Sequence, residues 1–180
     1  LDVYILNNSI RSVGGYDLIK DQRNIADPNN NGNKFLENKN GNFVDITEKA
    51  GMFNSAIGFG LGITVSDFNN DTWPDLFISN DFFEKDYLYI NSKNGTFVES
   101  SDMYFDALSM GSMGADAADL DNDLNSDILV TEMLPSSLKR KKTKAMYDSW
   151  DKFKLMESNG YAKQFPRNVL QRNIGNNSFL

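Results

Sequence analysis

Asp67-Phe68-Asn69-Asn70-Asp71-Thr72-Trp73-Pro74-Asp75 is the stretch around which this chain is organised, and its pattern returns 52 residues later as Asp119-Leu120-Asp121-Asn122-Asp123-Leu124-Asn125-Ser126-Asp127. Both runs place oxygen-bearing side chains at their first, third, fifth and ninth positions. Hard cations such as Ca²⁺ bind about six to eight oxygens, and carboxylates packed this closely without a cation repel one another. One such run is compatible with a polar turn, whereas two in the same flanking context favour calcium-binding loops.

The charge of the chain is concentrated in these two runs. The chain has 180 residues, a net charge of −7, and seven carboxylates within the runs. Its acidity argues against a general nucleic-acid binder, which presents a broad basic face. It has no cysteine and no histidine, which excludes disulfides, thiolate or imidazole metal sites and serine–histidine catalysis. No apolar run approaches the roughly 18 residues of a membrane span, so we expect none here.

Apolar stretches flank both runs. Leu76-Phe77-Ile78 follows the first and Ile128-Leu129-Val130 the second, and β-branched and aromatic residues of this kind favour strands. An EF-hand needs a glutamate at its twelfth position and a helix after it, but Ile78 and Val130 stand there. Glycine-bearing apolar stretches precede the runs at 58–66 and 111–118, where small residues suit strands whose backbones lie close together. The runs are therefore predicted to be strand–loop–strand sites.

A hairpin pattern completes the repeat. Residues 34–38 and 42–47 are predicted strands joined around Asn40-Gly41, the strongest two-residue hairpin signal. The pattern recurs at 87–99 around Asn94-Gly95 and, with the Asn-Gly pair lost, at 169–179. Four strands in a period of about 50 residues are typical of propeller blades.

The repeat divides the chain into three predicted units. Residues 1–56 are a partial blade in which Asp2 stands at the ninth position of a truncated acidic loop and residues 7–33 form a long polar excursion. The place of Asp2 suggests a fragment cut inside a repeat. Residues 57–110 are a complete blade, and residues 111–180 are a third blade with a helical insert at 132–166. The predicted fold class is all-β: a partial β-propeller of four-stranded antiparallel blades with one inserted α-helix.

The inserted helix is predicted at residues 137–158, where Met146, Trp150 and Phe153 fall at i, i+4 and i+7. Leu138 and Met156 extend this apolar stripe. The helix begins with a basic run at 139–144. This run is interpreted either as a solvated face or as a docking surface for the protein's own acidic rim or a partner. Nucleic-acid binding is the weaker alternative, because no aromatic residues are interleaved with the cations.

The Gly58-Phe59-Gly60 strand, the acidic loops and the hairpin Leu88-Tyr89 to Asn94-Gly95-Thr96-Phe97 together resemble FG-GAP/VCBS-repeat proteins. These include the integrin α-subunit β-propeller and bacterial secreted or cell-surface relatives, and the likeness to the bacterial branch covers nearly the whole chain. The resemblance implies calcium between the first two strands of a blade. By position, the implied ligands are Asp67, Asn69, Asp71, Asp75 and the Trp73 carbonyl in the first loop, and Asp119, Asp121, Asp123, Asp127 and the Asn125 carbonyl in the second.

One position departs from the family pattern. The family usually has glycine at the sixth position of the loop, whereas Thr72 and Leu124 stand there in this chain. If φ is positive at these residues, each is strained by about 1 kcal/mol or more. We therefore expect two structural Ca²⁺ sites, each weakened by its own departure from the pattern, since the first loop also has one carboxylate fewer.

The function expected from the resemblance is a calcium-stabilised propeller repeat module of a secreted or cell-surface protein, acting as a binding or adhesion scaffold. The expected location is extracellular, at the cell surface or periplasmic, and the expected partners are a protein or glycan ligand and the remaining blades of the same parent chain. The alternative is a catalytic or non-catalytic part of an extracellular polysaccharide-acting enzyme. Its candidate acids are Asp81, Glu84, Asp86, Asp116 and Glu132. Asp81 is more simply interpreted as bracing a turn and the others as solvated, so no catalytic residue is assigned.

Overall fold

Three antiparallel sheets, here called sheets 1, 2 and 3, follow one another along the chain. The computed structural model describes residues 1–8, 32–54, 57–144 and 150–180. Sheet 1 is made of β1 (Val3–Ile5), β2 (Lys34–Lys39) and β3 (Asn42–Asp45). Sheet 2 is made of β4 (Gly60–Ser66), β5 (Asp75–Asn80), β6 (Tyr87–Asn91) and β7 (Phe97–Glu99). Sheet 3 is made of β9 (Gly114–Ala118), β10 (Asp127–Thr131) and β12 (Val169–Gln171). A small parallel pair joins β8 (Leu108–Ser109) to β11 (Gln164–Phe165), and the helices are α1 (Ser101–Tyr104), α2 (Leu138–Lys144) and α3 (Trp150–Ser158).

Sheet 2 is packed on both of its faces. In β5, Leu76 and Ile78 join a core shared with sheet 1, whereas Phe77 joins a second core with Ile128 and Val130 of β10. This alternation follows from the side-chain period of two in a strand, which places successive residues on opposite faces. Neighbouring sheets therefore stack face to face, and none of them closes on itself within the described ranges. The predicted all-β, partial propeller-like fold is confirmed.

Small residues let sheets 2 and 3 approach closely at their first strands. A Cβ atom added to Gly62 of β4 would lie 3.2 Å from the Cα atom of Gly114 in β9. The Thr64 hydroxyl, on the same strand, donates to the Ala115 carbonyl oxygen at 2.7 Å. The predicted crowding of these strands is therefore confirmed, and glycine at position 62 is a condition for it.

The hairpins differ more than their sequences suggest. Asn40 and Gly41 both have positive φ, 55° and 92°, and form the predicted two-residue turn between β2 and β3. In sheet 2 the turn is longer, because Asn91 pairs with Phe97 and leaves five residues between them. In sheet 3 the fourth strand is reduced to one bridge from Asn173 to Phe179. The third sheet thus has three strands in place of the predicted four, and the turn before the bridge contains three successive residues with positive φ, at 175–177.

The insert contains helix in both of its described parts, α2 and α3. Residues 145–149, including Met146 of the predicted stripe, and residues 9–31 of the predicted excursion lie outside the described residues. The helix ends where predicted, with Gly160 at φ 80°. Of the described residues of the stripe, Met156 is buried and Phe153 is half-buried, whereas Leu138 and Trp150 are exposed. None of the helices in the described ranges is long and apolar enough to cross a membrane.

Candidate metal centre

The two acidic runs form loops that lie side by side at one end of sheets 2 and 3. The first joins β4 to β5 and the second joins β9 to β10. The Asn70 side-chain amide donates to the Asn125 side-chain oxygen at 2.6 Å, and the hydroxyls of Ser66 and Ser126 are 2.7 Å apart. The close packing of β4 on β9 therefore continues into the loops. We refer to this end of the molecule as the acidic-loop end.

Both loops have the same backbone shape. Asn70 and Thr72 have φ of 58° and 72°, and the matching residues Asn122 and Leu124 have φ of 63° and 71°. The sixth position is therefore left-handed in both loops. The strain expected at Thr72 and Leu124 is present, because side chains with a Cβ atom disfavour this region.

The carboxylate at the first position of each loop holds the turn together. Asp67 accepts hydrogen bonds from the backbone N–H groups of Asp71 and Thr72, at 3.0 and 2.7 Å. In the second loop, Asp119 accepts from the N–H groups of Asp123 and Leu124, at 3.1 and 3.0 Å. These hydrogen bonds turn both carboxylates toward the inside of their loops without the help of a cation.

The ninth-position carboxylates tie the loop to a more distant strand. Buried Asp75 accepts from the N–H groups of Phe68 and Asn91, at 2.9 and 2.8 Å. Asp127, equally buried, accepts from the N–H groups of Leu120 and Asn173, at 3.0 and 2.8 Å.

In sheet 1, Asp2 makes the corresponding bond, accepting from the Asn38 N–H at 2.9 Å. Sequence reasoning assigned these aspartates to metal binding alone and missed their bracing role. The sequence carries no signal for these bonds, because their donors are backbone N–H groups, which belong to Asn38, Asn91 and Asn173.

In the second loop, three carboxylates converge. One oxygen from each of Asp119, Asp121 and Asp127 lies within 4.8 Å of the other two. Oxygens around one Ca²⁺, each at about 2.3–2.6 Å from it, have this mutual separation. Desolvation, followed by the nearby carboxylates of Asp123 and Asp127, raises the pKa of Asp121. A bound cation would relieve this repulsion, so the donor set fits Ca²⁺.

In the first loop, the fifth-position carboxylate has other partners. The Asn69 side-chain amide donates to Asp71 at 3.0 Å, and the Lys93 ammonium lies 3.3 Å from the same carboxylate. Although desolvation opposes it, hydrogen bonds from Trp73, Asn69 and Lys93 lower the pKa of Asp71. Lys93 thus supplies positive charge to the first loop, and in the second loop the Arg172 guanidinium does so from farther away, with its Nε atom 3.9 Å from Asp121. Sequence reasoning did not include this lysine.

The seventh-position residues turn the chain back toward β5 and β10. The N–H of Trp73 donates to Asp71 at 3.0 Å, and the N–H of Asn125 donates to Asp123 at 2.8 Å. Asp123 is therefore held by its own loop and is not one of the three converging carboxylates. Its pKa is lowered by the hydrogen bonds from Asn125.

Replacing Leu124 by glycine should stabilise the second loop. The side chain is 86 % exposed, so its removal loses no packing. Removing the strain of a left-handed residue with a Cβ atom raises the free energy of unfolding by roughly 1–2 kcal/mol. The extra freedom of glycine in the unfolded chain lowers it by about 0.5–1 kcal/mol. We expect a net gain of up to about 1.5 kcal/mol in the free energy of urea unfolding. Leu124→Ala is the control, because it keeps the Cβ atom; an equal gain in that variant would assign the effect to the exposed leucine side chain.

The five acids considered for catalysis lie away from the loops. Asp81 accepts a hydrogen bond from the N–H of Phe82 at 2.9 Å, so it braces its turn as predicted. The expectation that Glu84 and Asp86 are solvated is wrong, because both are buried. Asp116 is exposed on β9.

Asp81 and Glu132 are close neighbours at the ends of β5 and β10. A Cβ atom on Gly111 would lie 3.3 Å from Oδ1 of Asp81 and 3.2 Å from Oε1 of Glu132. Desolvation raises the pKa of Asp81. Glu132 Oε2 accepts from the N–H of Leu134 at 2.6 Å. Of the five acids, Asp81 and Glu132 are thus two whose side-chain oxygens both lie next to Gly111.

Comparison with known families identifies the region that holds both loops. Residues 67–130 match the model of the FG-GAP-like repeat. None of the curated proteins compared with the chain matches it. The resemblance drawn from the sequence is therefore confirmed for the segment that runs from the first acidic loop through β10.

Proposed function

From the premise that this chain carries an FG-GAP-like repeat at residues 67–130, we propose that it is a calcium-stabilised propeller repeat module of a secreted or cell-surface protein. FG-GAP repeats typically occur in extracellular or surface proteins. In this proposal the module serves as a binding or adhesion scaffold for a protein or glycan. Calcium is structural, and the ligand is held by other surfaces.

The convergence of Asp119, Asp121 and Asp127 carries the calcium proposal. These carboxylates, with Asp123 and the Asn125 carbonyl, would hold one Ca²⁺. Asp67, Asn69, Asp71, Asp75 and the Trp73 carbonyl would hold the other, after Lys93 moves away from Asp71. The ion supplies positive charge that offsets the loop carboxylates. It would also join β9 to β10, and β4 to β5, at the point where the Asp127 and Asp75 carboxylates already brace the third strand of their sheets.

The expected stabilisation follows from mass action. Extracellular calcium modules bind with dissociation constants of about 10⁻⁴–10⁻³ M. At ten times that concentration a single site contributes about 1.4 kcal/mol to the free energy of unfolding. For a chain of this length, this corresponds to a rise in Tm of roughly 3–6 °C.

A thermal melt with calcium and with a chelator tests the proposal. We expect calcium chloride to raise Tm relative to EGTA, and Asp121→Asn to remove much of that rise. Asp116→Asn is the matched control, because Asp116 is an exposed aspartate on β9, outside the loops, and its variant should respond to calcium like the wild type. Identical melts of the wild-type protein in calcium and in EGTA would sink the structural-metal proposal.

The proposed scaffold needs further blades on its open faces. Leu129 of β10 occupies the place of Phe77 in β5, but it is exposed where Phe77 is buried. At the other side, Val3 and Ile5 of β1 occupy the places of Leu76 and Ile78 and are also exposed. Each exposed face therefore corresponds to one side of the contact that is buried between neighbouring sheets. We assign them to the remaining blades of the same parent chain.

An extracellular polysaccharide-acting enzyme is the second candidate, and the closeness of Asp81 and Glu132 favours it. Paired carboxylates perform glycoside hydrolysis when one donates and the other accepts a proton or attacks the sugar. We place this candidate second because one oxygen of each carboxylate already accepts a backbone N–H, from Phe82 and Leu134. These bonds support a role in holding the turns after β5 and β10.

A further inference from the structure

The insert at residues 132–166 has a charge opposite to that of the rest of the chain. It contains eight lysines and arginines and four aspartates and glutamates, although the whole chain has a net charge of −7. It begins directly after β10, whose other end starts at Asp127 in the acidic-loop end. A strand rises about 3.3 Å per residue, so roughly the length of one five-residue strand separates the two ends. The molecule is therefore electrically polarised along its strands.

The strongest positive charge of the insert is on α2. Lys139, Arg140, Lys141 and Lys142 are consecutive, and three of them are exposed. In the part of the chain that the structure describes, none of the four has an ion-pair partner. Lys154 of α3, by contrast, pairs with Glu157 at 2.7 Å. Like charges on adjacent turns of a helix destabilise it, so this short helix gains from an external anionic surface.

Exposed apolar side chains lie before and after the basic helix in the sequence. Met133, Leu138 and Trp150 are each about two-thirds exposed, at 70 %, 67 % and 68 %. Trp150 is nevertheless held in place, because it stacks on Phe153 at 5.5 Å and Phe153 stacks on Phe165 of β11 at 5.9 Å. The insert thus presents a fixed indole ring together with unpaired cations. Tryptophan favours surfaces that are apolar on one side and wet on the other.

We propose that the insert is a docking element for an anionic lipid surface. Unpaired lysine and arginine side chains would meet the headgroups, and Met133, Leu138 and Trp150 would enter the boundary between headgroups and acyl chains. The polarity of the molecule would orient it, with the acidic-loop end directed away from the membrane. A soluble polyanion would use the cations but leave the exposed apolar side chains unused. Nucleic acid would likewise leave the exposed side chains of Met133 and Leu138 unused.

Binding to lipid vesicles tests the proposal with the full 180-residue chain. We expect sedimentation with vesicles of phosphatidylcholine and phosphatidylglycerol, and little with phosphatidylcholine alone. Each basic residue near an anionic membrane contributes about fivefold to the partition coefficient. The double variant Lys141→Gln/Lys142→Gln should therefore bind about 25-fold more weakly, and the remaining binding should fall as salt is raised.

A matched control has the same loss of charge elsewhere. Lys39 and Lys49 are exposed in sheet 1 and in the segment after β3, so Lys39→Gln/Lys49→Gln lowers the net charge equally. We expect this control to bind as the wild type does. Equal weakening of both double variants would overturn the proposal, because it would mean that net charge alone governs binding.

Tryptophan fluorescence gives a second readout. The chain has two tryptophans, Trp150 in the insert and Trp73 in the acidic-loop end. In a Trp73→Phe variant, anionic vesicles should shift the emission of Trp150 to shorter wavelength; in a Trp150→Phe variant, they should leave Trp73 unchanged. Three results would contradict the proposal: a shift of Trp73 instead, binding only when calcium bridges the acidic loops to lipid, or equal affinity for dextran sulfate in solution without a shift of Trp150.

Discussion

Replacing Asp86 by asparagine should raise the free energy of unfolding by up to about 4 kcal/mol above about pH 7 and leave it nearly unchanged near pH 4. Asp86 is fully buried between sheets 2 and 3. Its carboxylate accepts from the N–H of Asn80 and from the hydroxyl of Ser112, both at 2.8 Å. Burial disfavours the charged form more than these two bonds favour it, and it raises the pKa of Asp86 from its usual value of 3.8 to about 7.

The direction of the pH effect follows from where the proton is bound. Between about pH 4 and pH 7 the folded protein keeps the proton on Asp86, whereas the unfolded chain has lost it. The contribution of Asp86 to stability is therefore complete below about pH 4 and is lost as the pH rises through about 7. Asparagine has the shape of the neutral acid and carries no charge, so it keeps the stability that the wild type loses.

Urea unfolding across this pH range measures the effect. The difference between Asp86→Asn and the wild type should grow from near zero at about pH 4 to its full value at about pH 8. Taking the difference removes the titration of the loop carboxylates, which both proteins share. Asp116→Asn, an exposed aspartate, is the control and should show no such divergence. Parallel stability curves for Asp86→Asn and the wild type would show that the carboxylate is not buried in its charged form.

Replacing Lys85 by methionine should cost about 3 kcal/mol or more. The Lys85 side chain is 3 % exposed, and its ammonium lies 2.9 Å from Glu99 and 2.7 Å from Asp102. Glu99 is 10 % exposed, whereas Asp102 is 71 % exposed and can return to water. The variant therefore leaves mainly one buried carboxylate without a countercharge. Removing one partner of a buried ion pair is costly because the remaining charge stays desolvated.

Two further variants separate this effect from the loss of packing. Lys154→Met removes an exposed ion pair with Glu157 and should change the free energy of unfolding by at most about 0.5 kcal/mol. The double variant Lys85→Met/Glu99→Gln removes both buried charges and should recover a large part of the loss. If the double variant is no more stable than Lys85→Met alone, the cost does not come from an unpaired charge at Glu99.

Local sequence patterns predicted the elements whose structure depends on near neighbours. The 52-residue repeat located both acidic loops, the strands on either side of them and the close packing at Gly62. The sixth-position departure from the family pattern predicted strain at Thr72 and Leu124, and both residues have positive φ. Asn40-Gly41 predicted its turn correctly because a two-residue hairpin is decided almost entirely by its own backbone. Asn94-Gly95 did not predict the length of its turn, since the pairing of Asn91 with Phe97 decides it.

Local sequence patterns predicted only part of the candidate metal centre. Its residues were predicted, but the sequence did not show how the two loops differ. In the second loop the carboxylates of Asp119, Asp121 and Asp127 converge. In the first loop Lys93 approaches Asp71. Lys93 reaches that loop from the hairpin turn after β6, so its position depends on how the strands of sheet 2 are aligned. The bracing of Asp75 and Asp127 by distant asparagines depends on the same alignment.

By itself, then, the sequence determined the repeat, the position of the acidic loops and the class of fold, because these follow from hydrogen bonding and side-chain alternation over a few residues. Only the tertiary structure decided which polar residues are buried. The segment from Asn80 to Asp86 has the composition of an exposed turn, yet Ser112 and Gln164 cover it from 26 and 80 residues away. Burial depends on contacts between elements that are distant in the chain, and a local pattern carries no information about them.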